Sequence, residues 1–160
     1  MVKRSEQKWE TKALSSIESP ALAQALEYWR SLCDGPGFPG RKQLDPMEMR
    51  SYLPKILLIC INDDGDFYYR LCGTEIARFN GADVTGKKVG SDSVGKGWRH
   101  LIHYYKKPLK TRAPVLFNGS IWWQDREYVS FEQILLPLAE DHASIDCLMS
   151  VIEFSQQSKI

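Results

Sequence analysis

No apolar run in the 160-residue chain approaches the roughly 20 residues that a bilayer-spanning helix needs, so no membrane span is expected. Neither sign of charge is in excess. The 21 basic side chains against 20 acidic ones leave a net charge of +1, which excludes a general electrostatic grip on nucleic acid or an anionic membrane. The polar residues 1–12 contain no apolar segment of the kind a secretory signal carries, so a cytoplasmic protein is expected. Cysteine is sparse and never paired as CxxC. Cys33, Cys60, Cys72 and Cys147 are therefore expected to be small apolar fillers in a reducing compartment, without a redox or metal role. There is no repeat and no low-complexity tract. What remains, 43 % hydrophobic and 26 % charged, is an ordinary globular balance. The length fits one domain that buries about 70 % of its unfolded surface.

Several letter patterns suggest chemistry, and their context removes it. Gly35, Gly37 and Gly40 have the spacing of a dinucleotide fingerprint. They follow a predicted helix rather than a strand, however, and two intervening prolines remove backbone donors. The run Gly90 to Gly97 is a near miss to a phosphate-binding loop, with Gly97 where Ser or Thr should hold magnesium. It reads as a flexible lead into a helix, with weak anion binding as a minor alternative. His100 and His103 lie three residues apart and off the predicted apolar stripe. They are expected to be exposed, not metal or haem ligands. Asn62 to Asp66 is acidic enough to suggest calcium, yet a hairpin turn accounts for it. No nucleophile–base–acid grouping stands out, so no catalytic residue, metal site or cofactor is expected.

Periodicity sets out the elements. Residues 1–18 read as a flexible polar lead and residues 19–155 as one domain, with 156–160 a disordered tail. Ser19 is an N-cap with Pro20 in the first turn, and Leu22, Ala25, Leu26, Trp29 and Cys33 recur at helical spacing. Asp45 and Glu48 suggest a capping box opening a short helix before Pro54. The unbroken run Ile56–Ile61 predicts a central strand, hairpinned through Asp64-Gly65 to a strand over 67–72. Thr74 is the expected cap of a one-turn helix that Asn80-Gly81 ends. The longest helix is expected over 94–110, with Val94, Trp98, Leu101, Ile102 and Tyr105 as its stripe and Pro108 kinking or ending it. Strands over 115–123, 128–139 and 145–154, joined by short turns, complete an α+β chain with an antiparallel sheet.

The residues Tyr69-Arg70-Leu71-Cys72-Gly73-Thr74, Phe79-Asn80-Gly81 and Val84-Thr85-Gly86-Lys87 carry a resemblance. With Tyr28-Trp29-Arg30, Gly40-Arg41, Leu53-Pro54 and Leu135-Leu136-Pro137-Leu138, they resemble a family of short, stand-alone bacterial PAS-like domains over residues 20–154. The resemblance implies a five-stranded antiparallel sheet, its first strand beside its last, with helices packed on one face and an N-terminal helix. It also implies a sensory role without fixing a ligand.

The candidate pocket residues are Phe79, Trp98, Ile102, Phe117, Leu135 and Met149, and the alternative is that they form a solid core. Alternation in the 128–139 strand adds Gln133, if Val129, Phe131 and Leu135 face the helices; the other register buries Glu132. One polar group of this strand is thus expected to look inward. The expected function is a non-catalytic sensory domain that takes a small apolar molecule or a protein partner. Its output is expected to pass to a downstream signalling protein. The wide apolar surface of the first helix suggests a homodimer there. The alternatives are an open-cone enzyme with one acid–base residue in an apolar cavity, and a dimerisation module with a solid core.

Overall fold

The computed structural model describes residues 9–121 and 126–156. Six antiparallel strands form one sheet in the order β1-β4-β5-β6-β2-β3. They are β1 (Glu10–Lys12), β2 (Ile56–Ile61), β3 (Phe67–Cys72), β4 (Val115–Ile121), β5 (Arg126–Leu138) and β6 (Cys147–Gln156). The apolar strand β2 lies inside the sheet, between β6 and its hairpin partner β3, and both its faces are covered. The α+β, PAS-like expectation holds, with the first strand of the five beside the last. Trp122 and Trp123, placed in the 115–123 strand, lie outside the described residues.

Strand alternation sends two sets of side chains to opposite faces. One face carries Leu58, Leu136, Met149 and Val151 and is covered by α1 (Pro20–Leu32) through Leu22, Ala25, Leu26 and Trp29. Ser19 caps this helix, its Oγ accepting the Leu22 N–H at 3.4 Å. The Trp29 indole donates to the Pro137 carbonyl at 2.7 Å. Each such fully buried aliphatic side chain contributes about 1.5–3 kcal/mol. The apolar stripe of α1 packs on the chain's own sheet: Leu22 and Ala25 have no exposure at all.

The other face carries Leu57, Ile59, Phe117, Leu135, Leu148 and Ile152. Over it lie α2 (Thr74–Asn80), the short α3 (Ser91–Val94), α4 (Trp98–Tyr105) and α5 (Lys107–Thr111). Gly73, not Thr74, caps α2. A Cβ at Gly73 would lie 2.3 Å from the Pro54 carbonyl oxygen, so no side chain fits there. Gly81, at φ 86°, ends the helix as expected.

Four expectations need correction. Residues 10–12 are not a flexible lead: β1 pairs Glu10–Asn118 through Lys12–Leu116 and adds a sixth strand, occupying the edge of β4. The capping box at Asp45 opens consecutive turns instead of a helix, because Asp45 Oδ1 accepts from Met47 N–H, two residues on. The long helix is interrupted. Gly95 at φ 78° breaks it after α3, and Pro108 lacks the N–H that would continue α4 into α5. The strand of the tail extends to Gln156, and residues 157–160 lie outside the described residues.

The cysteine expectation also fails for one pair. Cys60 on β2 and Cys147 on β6 stand directly opposite each other, with Cα atoms 4.0 Å apart, and form a disulfide under α1. The partner was across the sheet, 87 residues away, where spacing along the chain gives no sign of it. Cys33 and Cys72 are free thiols, and burial pushes both up from their ordinary pKa.

Candidate functional site

The helix-covered face of the sheet does not close completely. A cavity of about 80 Å³, open on one side, lies between β2, β3, β5 and β6 below and α2 and α4 above. Leu57, Phe131 and Ile152 form its apolar floor, Ile76 and Phe79 its α2 wall, and Leu101 and Tyr105 its α4 wall. Half-buried Asn80, Val94 and Phe154 stand at the rim, where Phe79 stacks on Phe154 with ring centroids 4.0 Å apart. None of the described lining residues carries a charge.

The α2 wall is fixed from both ends. At its start, Gly73 packs on the backbone of the 53–55 turn and its N–H donates to the Ile56 carbonyl at 2.7 Å. Beyond its end, the 84–89 segment folds back along β3. Tyr69 N–H donates to Lys87 O, and Gly86 N–H donates to Tyr69 O. This segment also covers the outer edge of β3.

Polar atoms in the cavity are few and connected. The Tyr69 and Tyr105 hydroxyls are 3.0 Å apart and fully buried. The Gln133 side chain lines the same cavity, and its Nε2 donates to Ser150 Oγ at 2.7 Å. Burial raises the pKa of both phenols; for Tyr69 the neighbouring Tyr105 adds to the rise. Both hydroxyls therefore stay protonated at neutral pH, and the cluster is uncharged.

The question of the β5 register resolves with both groups buried. Gln133 is 2 % exposed on the cavity face, and Glu132 is 9 % exposed on the α1 face. The two Glu132 oxygens accept from the backbone N–H groups of Glu18 and Ser19 at 3.0 and 2.8 Å and from Lys12 Nζ at 3.1 Å. Glu132 thus sits at the N-terminus of α1, where a carboxylate is favoured. Nearby, Glu153 accepts from Ser19 Oγ at 3.1 Å and pairs with Lys55, which also faces Glu75 of α2 at 3.7 Å.

Of the sequence-derived pocket residues, the structure brings Phe79 and Gln133 to the cavity. Phe117 and Leu135 lie on the same face but are fully buried in its packed core. Met149 points to the opposite face, under α1. Trp98 and Ile102 are half-buried and do not line the cavity. The reason is rotational: α4 starts at Trp98, so its inward stripe is Leu101, Tyr104 and Tyr105. The cavity tryptophan is Trp9, from the supposed flexible lead. Its indole packs on His100, Tyr104, Phe117 and Phe131, and its Nε1–H donates to Ser120 O at 3.0 Å.

His103 is exposed as expected, but His100 is partly covered by the Trp9 ring, 4.4 Å away, and burial lowers its pKa. Among the described residues no group of three His, Cys, Asp or Glu side chains could hold a metal. The glycine run at 35–40 is tied to the β5–β6 connection by Phe38 N–H to His142 O and Ala139 N–H to Pro39 O, a structural role. Gly90 begins a four-residue helix with its N–H on Ser93 Oγ. Asn62 Oδ1 accepts from Asp64 and Asp66 N–H, which makes the acidic loop a turn.

No helix among the described residues is long and apolar enough to cross a membrane. No curated protein and no solved structure matches the chain. The sequence profile of the PAS domain matches residues 17–152, which span α1, β2 to β5 and most of β6. With the antiparallel sheet and the cavity beneath its helices, this match makes the chain a member of the PAS domain family, a class of sensory and signalling modules.

Proposed function

We propose that this PAS domain is a non-catalytic input module that takes a small, mainly apolar molecule into the cavity between the sheet and α2. The observation that carries the reading is that cavity: apolar walls, one uncharged polar cluster, and a rim formed by the short helix α2. A solid dimerisation core would leave no such space. An open-cone enzyme would need an acid–base residue inside, and no carboxylate, histidine or cysteine is among the described lining residues. Trp9, Phe79, Gln133 and Tyr105 are the residues proposed to touch the ligand. Output passes by association with another chain, a second copy or a downstream signalling protein. A homodimer at α1 would have to use its outer surface, since the apolar stripe is occupied by the sheet.

Uptake of benzene by the full chain, followed by methyl NMR, tests the reading. Shifts are expected at Ile76, Leu101 and Ile152 and should vanish in a cavity-filling Ile152→Phe variant. If neither benzene nor a small apolar ketone such as cyclohexanone affects these methyls, the reading is overturned.

A further inference from the structure

The polar cluster has more donors than it uses. Tyr69 and Tyr105 supply one proton each and the Gln133 amide supplies two. Two bonds take protons: Tyr69 with Tyr105, and Gln133 with Ser150. Whichever way the hydroxyls turn, at least one donor is left over, and all three side chains line the cavity. A buried donor without an acceptor is costly, so the site is complete only with an acceptor atom in the cavity. The acceptor is uncharged. No described lining residue offers a countercharge, and an isolated ion pays a large desolvation cost in apolar surroundings.

We infer that the cavity selects a neutral, mostly apolar molecule with one acceptor oxygen, a ketone or an ether-like or hydroxyl oxygen, bound to the Tyr69–Tyr105–Gln133 cluster. This rests on the proposed ligand-binding role of the cavity and adds the class of ligand. The enclosed volume of about 80 Å³ is near half that of an engineered cavity of about 150 Å³ that holds benzene. The ligand therefore places its oxygen-bearing end inside and the rest at the rim by Asn80, Val94 and Phe154.

The test compares cyclohexanone with methylenecyclohexane, which has the same shape and no oxygen, and with the cyclohexylammonium ion. Each is titrated against the full chain by methyl NMR. In a cavity without a donor, the ketone binds at least about tenfold more weakly than the hydrocarbon, because its hydrated oxygen goes unpaired. The expected result is that the ketone binds at least as tightly as the hydrocarbon and that the cation does not bind. The infrared C=O stretch of bound cyclohexanone is expected below its value in hexane, as for a hydrogen-bonded carbonyl. It should return to the hexane value in a Tyr69→Phe/Tyr105→Phe/Gln133→Leu variant; the wild-type stretch decides the matter alone if that variant does not fold. A hexane-like stretch in the wild type, a tenfold preference for the hydrocarbon, or equal binding of the cation overturns the inference while leaving the cavity reading in place. Binding of none of the three removes the cavity reading as well.

Discussion

Replacing Gly73 with alanine perturbs the cavity wall at its most constrained point. The backbone at Gly73, φ −65° and ψ 152°, suits any residue, so the effect is purely steric. The added methyl would lie 2.3 Å from the Pro54 oxygen, 2.6 Å from the Pro54 carbonyl carbon and 2.8 Å from the Leu53 oxygen. All three are backbone atoms, which have no rotamer to escape into. Ordinary contact begins near 3.4 Å, so α2 and the 53–55 turn must separate by about 1 Å. Overpacking of this kind costs about 1–3 kcal/mol. The movement also strains the 2.7 Å bond from Gly73 N–H to Ile56 O, worth about 1 kcal/mol. Reduced freedom of the unfolded chain returns about 0.4–1 kcal/mol. The net loss is about 2–3 kcal/mol, or about 5–10 °C in Tm for a chain of this size. Urea and thermal unfolding measure it, with Gly90→Ala as the control. A Cβ at Gly90 meets nothing within 4 Å, so that variant should be neutral or slightly stabilised. If Gly73→Ala is as stable as Gly90→Ala, the close approach of α2 to the 53–55 turn is wrong.

Reduction of the Cys60–Cys147 bridge, or a Cys60→Ala/Cys147→Ala variant, should lower stability by up to about 4.5 kcal/mol in the loop-entropy account, given the 87-residue separation; non-reducing peptide mapping of the untreated protein should show the linked pair. Trp9→Ala should cost about 2–3 kcal/mol by urea unfolding, because a half-buried indole and its bond to Ser120 O are lost, and it should loosen ligand selection by widening the cavity; a flexible lead would show no loss. Stability should also depend on the state of His100. Its folded pKa lies below the unfolded value near 6.5, so the unfolded chain binds the proton more readily. The contribution is fully present above about pH 6.5 and is lost as the pH falls from there through the folded pKa. Tm against pH for wild type and His100→Phe should diverge on the acid side of that window and run parallel above it.

Much of the sheet was legible because its signals are local. The run Ile56–Ile61 has no polar break, and only a strand covered on both faces tolerates that, so its interior place followed. Asp64-Gly65 fixed the hairpin, and Ser19-Pro20 with Gly81 fixed the ends of α1 and α2. What local signals could not supply was pairing across the sheet. Glu10–Lys12 is too short and polar to read as a strand, and it is held by the edge of β4. The β2–β3 ladder shifts register between Leu58 and Ile59, opposite Tyr69 to Leu71. That irregularity turns Leu71 outward, 43 % exposed, where strict alternation placed it with Phe67 and Tyr69. The disulfide depends on the same long-range register, since Cys60 and Cys147 meet only because β6 lies beside β2.

The site was legible where one strand decided it and illegible where a helix phase did. Gln133 follows from alternation along β5, because Phe131 and Leu135 on the same face are apolar and the period of a strand is fixed at two. A helix has no such fixed origin. Counting the stripe from Val94 carried Trp98 and Ile102 into the pocket; the glycine turns at 95–97 reset the phase, so the inward residues became Leu101, Tyr104 and Tyr105. Tyr105 was within the predicted stripe as an apolar residue, but its hydroxyl has meaning only opposite Tyr69, 36 residues earlier on β3. Two tyrosines and a glutamine on three separate elements make a neutral polar cluster only after the sheet has closed beneath α4, and no spacing in the chain announces it. Met149 shows the converse: it follows Leu148, which does face the helices, and a shift of one residue along a strand sends a side chain to the other face. The choice of cavity residues in this fold is therefore a choice of register and helix phase, and a single aromatic such as Trp9, remote in sequence, can take the place that the phase error assigned to Trp98.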